Sequence, residues 1–293
     1  MSALEPGEHG RPAWSVLRAA LEERGFRPSR RLGQNFLLDE NMLRAIVRDA
    51  QVGAGDFVLE IGPGCGTLSL HLLRAGVDLV AVEVDPRLAE IARELLAGEE
   101  RFRLIVADVL KSKHAIEPAV LRALPAAGPW HLVSNLPYSV SGPVLACMTE
   151  MANPPASMTV LVQKEVALRL AARPGTAEWG PLSIRLQIDY EPRVVRQVAA
   201  ALFWPRPEVE SSVVRLEPRA QRTSGPERVA LSRLVDGLFQ RRRQSLGRVL
   251  ASIAGSRAAG EAWWTQAAVD PGGRAEDLEL DALRALARHA PRA

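Results

Sequence analysis

Two periods of apolar residues alternate along the chain. The segments FVLEI (57–61), LVAVE (79–83), RLIV (103–106), HLVS (131–134) and MTVLV (158–162) are short apolar runs rich in Val and Ile. Runs of that length and composition predict strands buried in a sheet. Between them the apolar residues recur at helical spacing, and the alternation predicts a parallel sheet with helices on both faces. Upstream, PAWSVLRAALEER (12–24) predicts an amphipathic helix ended by Gly25, and a second helix is expected from an N-cap at Asp39 to Asp49. From 183 the pattern changes. SIRLQIDY and SSVVRLEP are expected as two further strands joined through FWPRPEVE, and residues 228–290 are helical in pattern after a polar linker. The expected organisation is a helical extension over 1–28, an α/β domain over 29–218, a linker over 219–227 and a C-terminal helical domain over 228–293.

Composition changes this picture little. Of 293 residues, 47% are hydrophobic and 24% charged, as in ordinary globular proteins. No apolar run approaches the roughly 18 residues of a membrane span. The opening MSALEPGEHG has neither a basic nor an apolar region of a secretory signal, so a cytoplasmic protein is expected. The two cysteines and five histidines show no metal-ligand spacing, so no metal is expected. A net charge of +3 does not by itself announce a nucleic-acid binder. The basic residues are nevertheless clustered, in RPSRR (27–31) and QRRRQSLGR (240–248), and nearly all are Arg. Arginine forks match phosphate geometry, although a GC-rich gene also yields Arg for Lys, and each cluster reads equally as solvated surface.

Candidate chemistry begins at VLEIGPGCGTLSLHLL, where Gly62, Gly64 and Gly66 follow a strand and precede a helix. Such a turn lies at the carboxyl edge of a doubly wound sheet, where ligands bind. Glu83 ends the next strand at the distance expected of a ribose-binding carboxylate. Asp85-Pro86 reads as an N-cap with proline at the first helical position, hence structural. Asp108, after the third strand, is placed to accept from an adenine amino group. These features admit a nicotinamide dinucleotide or S-adenosylmethionine, and the glycine loop does not decide between them.

The fourth strand does. It runs into Asn135-Leu136-Pro137-Tyr138, at the cofactor edge. An exocyclic amino group is a poor nucleophile because its lone pair is delocalised into the base. The Asn135 amide oxygen and a backbone carbonyl can each accept one of its N–H groups and aim the lone pair at a methyl donor. Pro137 stiffens the turn and frees a neighbouring carbonyl. Tyr138 offers a face on which an extruded base stacks.

NLPY resembles the N-[LI]-P-[YF] motif of N6-adenine RNA methyltransferases. LGQNFL (32–37), EIGPGCG (60–66), VEVD (82–85), QKEVALRLAARPG (163–175), GPLSIRLQ (180–187), FWPRPEVESSVVRLEP (203–218) and FQRRRQSLGRVL (239–250) extend the likeness in order. Together they resemble the small-subunit (16S) ribosomal RNA adenine N6,N6-dimethyltransferase family (KsgA/RsmA). The resemblance implies a Rossmann-like, S-adenosylmethionine-dependent methyltransferase domain with a small helical domain. It implies dimethylation of two adjacent adenosines near the 3′ end of 16S rRNA in the immature 30S subunit; separately, a monomer is expected. It also implies cofactor contacts from Asn35, Leu37, Gly62, Gly64, Glu83, Asp108 and Asn135. Apart from the resemblance, Phe203 reads equally as a second stacking face for the flipped adenine or, with Trp204, as a core residue under the proline loop, and Arg30, Arg31 and a helical run Arg241, Arg242 and Arg243 are expected to grip RNA. Two positions depart from the family pattern. Ser139 stands where Asn is frequent, and Trp179 where Tyr is usual, there keeping a stacking face.

The rival readings are an Erm-type 23S rRNA adenine methyltransferase, a DNA N6-adenine methyltransferase, a nicotinamide oxidoreductase and a noncatalytic ribosome-assembly factor. The segments after 163 favour the 16S enzyme over the Erm type. A DNA enzyme would more usually carry Asp-Pro-Pro-Tyr. NLPY counts against the oxidoreductase, and intact Asn135 and Glu83 against lost catalysis.

Overall fold

The computed structural model of the chain describes residues 14–37, 39–223 and 225–291. Its strands are β1 (Phe36–Leu37), β2 (Phe57–Ile61), β3 (Asp78–Glu83), β4 (Phe102–Val106), β5 (Leu110–Ser112), β6 (Ala115–Ile116), β7 (His131–Asn135), β8 (Ser157–Gln163), β9 (Tyr190–Val198), β10 (Phe203–Trp204) and β11 (Ser211–Pro218). Seven of them form one sheet in the order β4-β3-β2-β7-β8-β11-β9. The first five of these run parallel, and β11 is antiparallel to β8. The order reverses between β2 and β7, so the carboxyl ends of those two strands border the crevice in which such sheets bind ligands.

Two compact units divide the chain. The first runs up to Ala167 and takes back Arg193–Glu217; the second joins Leu168–Pro192 to Pro218 and beyond. In the first, the helices Glu40–Ala50 and Thr67–Arg74 lay Leu43, Ile46, Leu68, Leu72 and Leu73 against Val58, Leu79, Val133 and Leu161 of the sheet. Each such fully buried aliphatic side chain contributes about 1.5–3 kcal/mol. Asp39 caps the first of these helices, accepting from Met42 N at 2.7 Å. The N-terminal helix Trp14–Glu23 is not a separate extension. Its Leu17 and Leu21, with Phe26, pack on Cys65, Leu88 and Ile91 of the α/β unit.

The second unit gathers the helices Pro181–Gln187, Gly225–Gln240, Leu246–Ile253, Arg257–Gln266 and Leu280–Arg288 around Leu234, Leu238, Leu250, Trp263, Leu283 and Leu286. One expectation fails here: SIRLQIDY begins as a helix, and β9 starts only at Tyr190. The alternation of Ile184, Leu186 and Ile188 with Ser183, Arg185 and Gln187 mimics a strand because two of the polar residues are buried as well. Ser183 Oγ donates to Arg169 O at 2.6 Å, and Gln187 Nε2 donates to Leu170 O and Ala172 O at 2.8 and 2.7 Å. These side chains bond carbonyls at and just past the end of the helix Lys164–Leu170, where helical pairing runs out.

Candidate active site

Three loops at the carboxyl edge of the sheet enclose a cleft lined by apolar side chains and a few polar groups, the usual make-up of a small-molecule site. The glycine turn after β2 forms its floor. Gly62 has φ +70°, and a Cβ there would sit 3.0 Å from Pro137 Cγ. A residue without a side chain is therefore what lets this turn meet the NLPY turn. The loop Leu32–Leu37 and the turn Asn135–Val140 form the walls, with Val84, Asp108 and Val109 beyond them. Asn35, Leu37, Gly62, Gly64, Glu83, Asp108, Asn135, Leu136, Pro137 and Tyr138 all line this one cleft.

Glu83 is held for acceptance. One of its carboxylate oxygens accepts from Gly64 N at 3.0 Å and the other from Asp85 N at 2.9 Å. It is 4% exposed, and burial pushes its carboxyl above the usual range, opposed by those backbone N–H groups. Asp85 turns away into structure. It caps the helix Pro86–Leu95 through Arg87 N, and accepts from the Arg87 guanidinium and from Gln34 Nε2. The Arg87 bonds lead in holding its carboxyl below the ordinary value. Asp108 lies on the exposed rim two residues past β4, one oxygen accepting from Leu110 N at 2.9 Å.

At the end of β7, Asn135 Nδ2 donates to the carbonyl of Asn35 at 3.2 Å. A carbonyl only accepts, so the nitrogen must face it and Oδ1 is the amide's remaining acceptor. The following turn supplies a second one. Leu136 N is bonded to Leu161 O, and the Pro137 carbonyl accepts from Val140 N at 3.1 Å. Among the described residues no donor reaches the Leu136 carbonyl, and Pro137 carries no N–H. The Leu136 side chain is 1% exposed and serves packing. Tyr138 is half-buried, with its phenol oxygen 2.7 Å from Ser211 Oγ; burial raises the phenol and the hydrogen bond opposes the rise.

Glu60 is a lining residue that pattern reading did not single out. It ends in the cleft at 1% exposure, accepting from Ser69 Oγ at 2.5 Å. Burial pushes its carboxyl up to about 8, Ser69 opposing and Glu83 adding to the rise. The signal was a lone acidic residue inside the apolar run FVLEI.

Several expected RNA contacts change. Phe203 is 3% exposed and belongs to the hydrophobic core of the α/β unit, so it is not a stacking face for a flipped base. Its short strand β10 pairs with β1, Leu37 opposite Phe203 and Phe36 opposite Trp204. Successive side chains point to opposite faces, so it is Trp204 that stacks on the cleft-lining Phe36, with centroids 5.9 Å apart. Trp179 likewise is a core residue of the second unit, 3% exposed. Arg241, Arg242 and Arg243 are exposed as expected but lie in the turn after the helix Gly225–Gln240, not on it. Arg31 is exposed beside the cleft loop, while the side chain of Arg30 lies outside the described residues.

Known proteins resemble this chain over most of its length. The ribosomal RNA adenine dimethylase family model matches residues 25–283. A ribosomal RNA small subunit methyltransferase A of Phenylobacterium zucineum is 42% identical over 93% of this chain and 91% of its own length. One from Thermobifida fusca is 39% identical over 91% and 92%. Among solved structures, the 23S rRNA methyltransferase ErmE matches 87% of this chain and 98% of its own at 25% identity and a TM-score of 0.65. A dimethyladenosine transferase from Plasmodium falciparum shares the fold at 20% identity and a TM-score of 0.66, covering 85% and 94%. A cleft walled by an Asn-Leu-Pro-Tyr turn, within a match spanning most of the sequence, leads to one conclusion: the chain belongs to the ribosomal RNA adenine dimethylase family.

Proposed function

We propose that this enzyme transfers methyl groups from S-adenosylmethionine to N6 of two adjacent adenosines in the 3′-terminal hairpin loop of 16S rRNA, giving N6,N6-dimethyladenosines. Its substrate is the immature 30S subunit, and it acts as a monomer in the cytoplasm. The observation that carries this reading is the paired acceptors at the end of β7, Asn135 Oδ1 and the Leu136 carbonyl, on the rim of a cleft that also holds the Glu83 carboxylate.

The cleft fits the methyl donor. Glu83 is an acceptor fixed by two backbone N–H groups, suited to ribose hydroxyls, and Asp108 is an acceptor for an adenine amine. Leu37, Val84, Leu88 and Val109 supply apolar walls for a purine. When bound, the cofactor supplies an electrophilic methyl on a cationic sulfur. The residues of the chain then position. Asn135 Oδ1 and the Leu136 carbonyl each accept one N–H of the target amine and draw its nitrogen out of conjugation with the ring. The Tyr138 face stacks on the base and fixes its plane. No proton has to be removed before transfer, the methylated nitrogen shedding one to solvent afterwards, so orientation and electrostatics supply the rate enhancement. Arg31 and Arg241–Arg243 add contacts to RNA phosphates.

The test incubates the purified protein and labelled S-adenosylmethionine with unmethylated 30S particles, naked 16S rRNA and 50S particles, then maps the labelled nucleotide. Label on two adjacent adenosines of the 30S substrate is expected. Label confined to 23S rRNA would transfer the protein to the other rRNA specificity.

A further inference from the structure

Tyr138 is anchored at both ends. Its backbone is held by the turn that Val140 N closes on the Pro137 carbonyl. Its hydroxyl lies 2.7 Å from Ser211 Oγ. Ser211 is 0% exposed and does not line the cleft, so the positioning chemistry above leaves it unused. It is the first residue of β11, opposite Gln163 at the end of β8 in antiparallel register, which brings it to the same sheet edge as Asn135. The residue before it is latched: Lys164 N donates to the Glu210 carbonyl at 2.9 Å, and Lys164 Nζ pairs with the Glu210 carboxylate at 2.9 Å. A rigid strand end thus presents a buried hydroxyl to the one polar atom of the Tyr138 ring.

Stacking needs no hydroxyl, so the phenol oxygen has its use in this contact. We infer that Ser211 is a positioning residue for methyl transfer, fixing the plane of the Tyr138 ring so that its face, not its edge, meets the target adenine. The inference rests on the adenine-methyltransferase reading proposed above. A ring tied only at its backbone turns about two side-chain torsions. With its far end bonded to a β-strand it keeps one orientation, and the base it carries keeps one approach to the donor.

The test is a double-mutant cycle on the full-length protein with Ser211→Ala, Tyr138→Phe and the pair, measured as single-turnover methyl transfer to 30S particles. A second readout is the quenching of 2-aminopurine placed at the target position of a short hairpin RNA, which reports stacking without transfer. Each single change is expected to lower the transfer rate about three- to tenfold, the scale of one neutral hydrogen bond, with cofactor affinity by calorimetry unchanged. The pair should be no slower than either alone, because both remove the same bond. Quenching should weaken in parallel. Ser211→Thr, which keeps the hydroxyl, should restore both. Should Ser211→Ala fail to fold, Tyr138→Phe, altered at a half-exposed site, carries the test. Full activity and full quenching in Tyr138→Phe overturn the inference, as do additive effects in the pair. Wild-type protein that neither methylates adenosine nor quenches the probe overturns the underlying reading instead, and this inference with it.

Discussion

Glu60 offers the sharpest electrostatic test of the cleft. Its carboxyl sits at 1% exposure against Ser69, and burial moves it from an ordinary 4.5 to about 8. Between those values the folded protein holds a proton that the unfolded chain has shed. Stability therefore falls as pH rises through this window and levels off above about 8. The interval spans about 3.5 pH units, and at about 1.36 kcal/mol for each the loss is at most ~5 kcal/mol. Glu60→Gln is neutral at every pH and keeps an acceptor for Ser69, so it removes this dependence. Urea unfolding of the cofactor-free protein at pH 5.5 and pH 9 would measure it. The wild type should lose several kcal/mol more than the variant between the two, leaving Glu60→Gln the more stable protein at pH 9. Superimposable pH profiles would refute the claim that a carboxyl is buried uncompensated in this wall.

Three further outcomes follow from the geometry. Gly62→Ala places a Cβ 3.0 Å from Pro137 Cγ at a φ of +70°; with left-handed strain of about 1–2 kcal/mol, cofactor affinity by calorimetry should fall about tenfold, and unchanged affinity would show that the turn tolerates a side chain. Phe203→Ala should lower unfolding free energy by about 3–5 kcal/mol, whereas a base-stacking role would cost activity and leave stability intact. Replacing Arg241, Arg242 and Arg243 together by Ala should flatten the log–log salt dependence of RNA binding by about 1–2 units; an unchanged slope would assign the cluster to solvated surface.

Strands β2, β3, β7 and β8 were legible because residues buried on both faces form unbroken apolar runs, β4 being a half-buried edge strand, and the acceptors sit where the runs stop. Glu83, Asp108 and Asn135 could be read from that rule alone. Asn35 and Leu37 could not: they reach the cleft through a loop far from it in sequence, and only the family resemblance marked them. Phe203 stayed open between core and stacking face because a two-residue strand carries no periodicity from which its facing could be told, and a one-residue shift exchanges core for surface. Ser183 and Gln187 misled for the converse reason: polar residues normally mark the solvent side, but here they are buried on helix-end carbonyls. Ser211 stayed hidden because its partner, Tyr138, lies 73 residues away in sequence, whereas Glu60 showed only as a lone acid within the apolar run FVLEI.

The amide at the end of β7 is the group on which methyl transfer depends most directly. Single-turnover transfer of labelled methyl to unmethylated 30S particles, at saturating S-adenosylmethionine, compares wild type with Asn135→Ala. Loss of the acceptor should slow transfer about 10²–10³-fold, the scale of removing one preorganised polar contact to the reacting group, with the protein folded and still binding RNA. A variant that transfers at the wild-type rate would contradict the claim that Asn135 holds the adenosine amine for methylation.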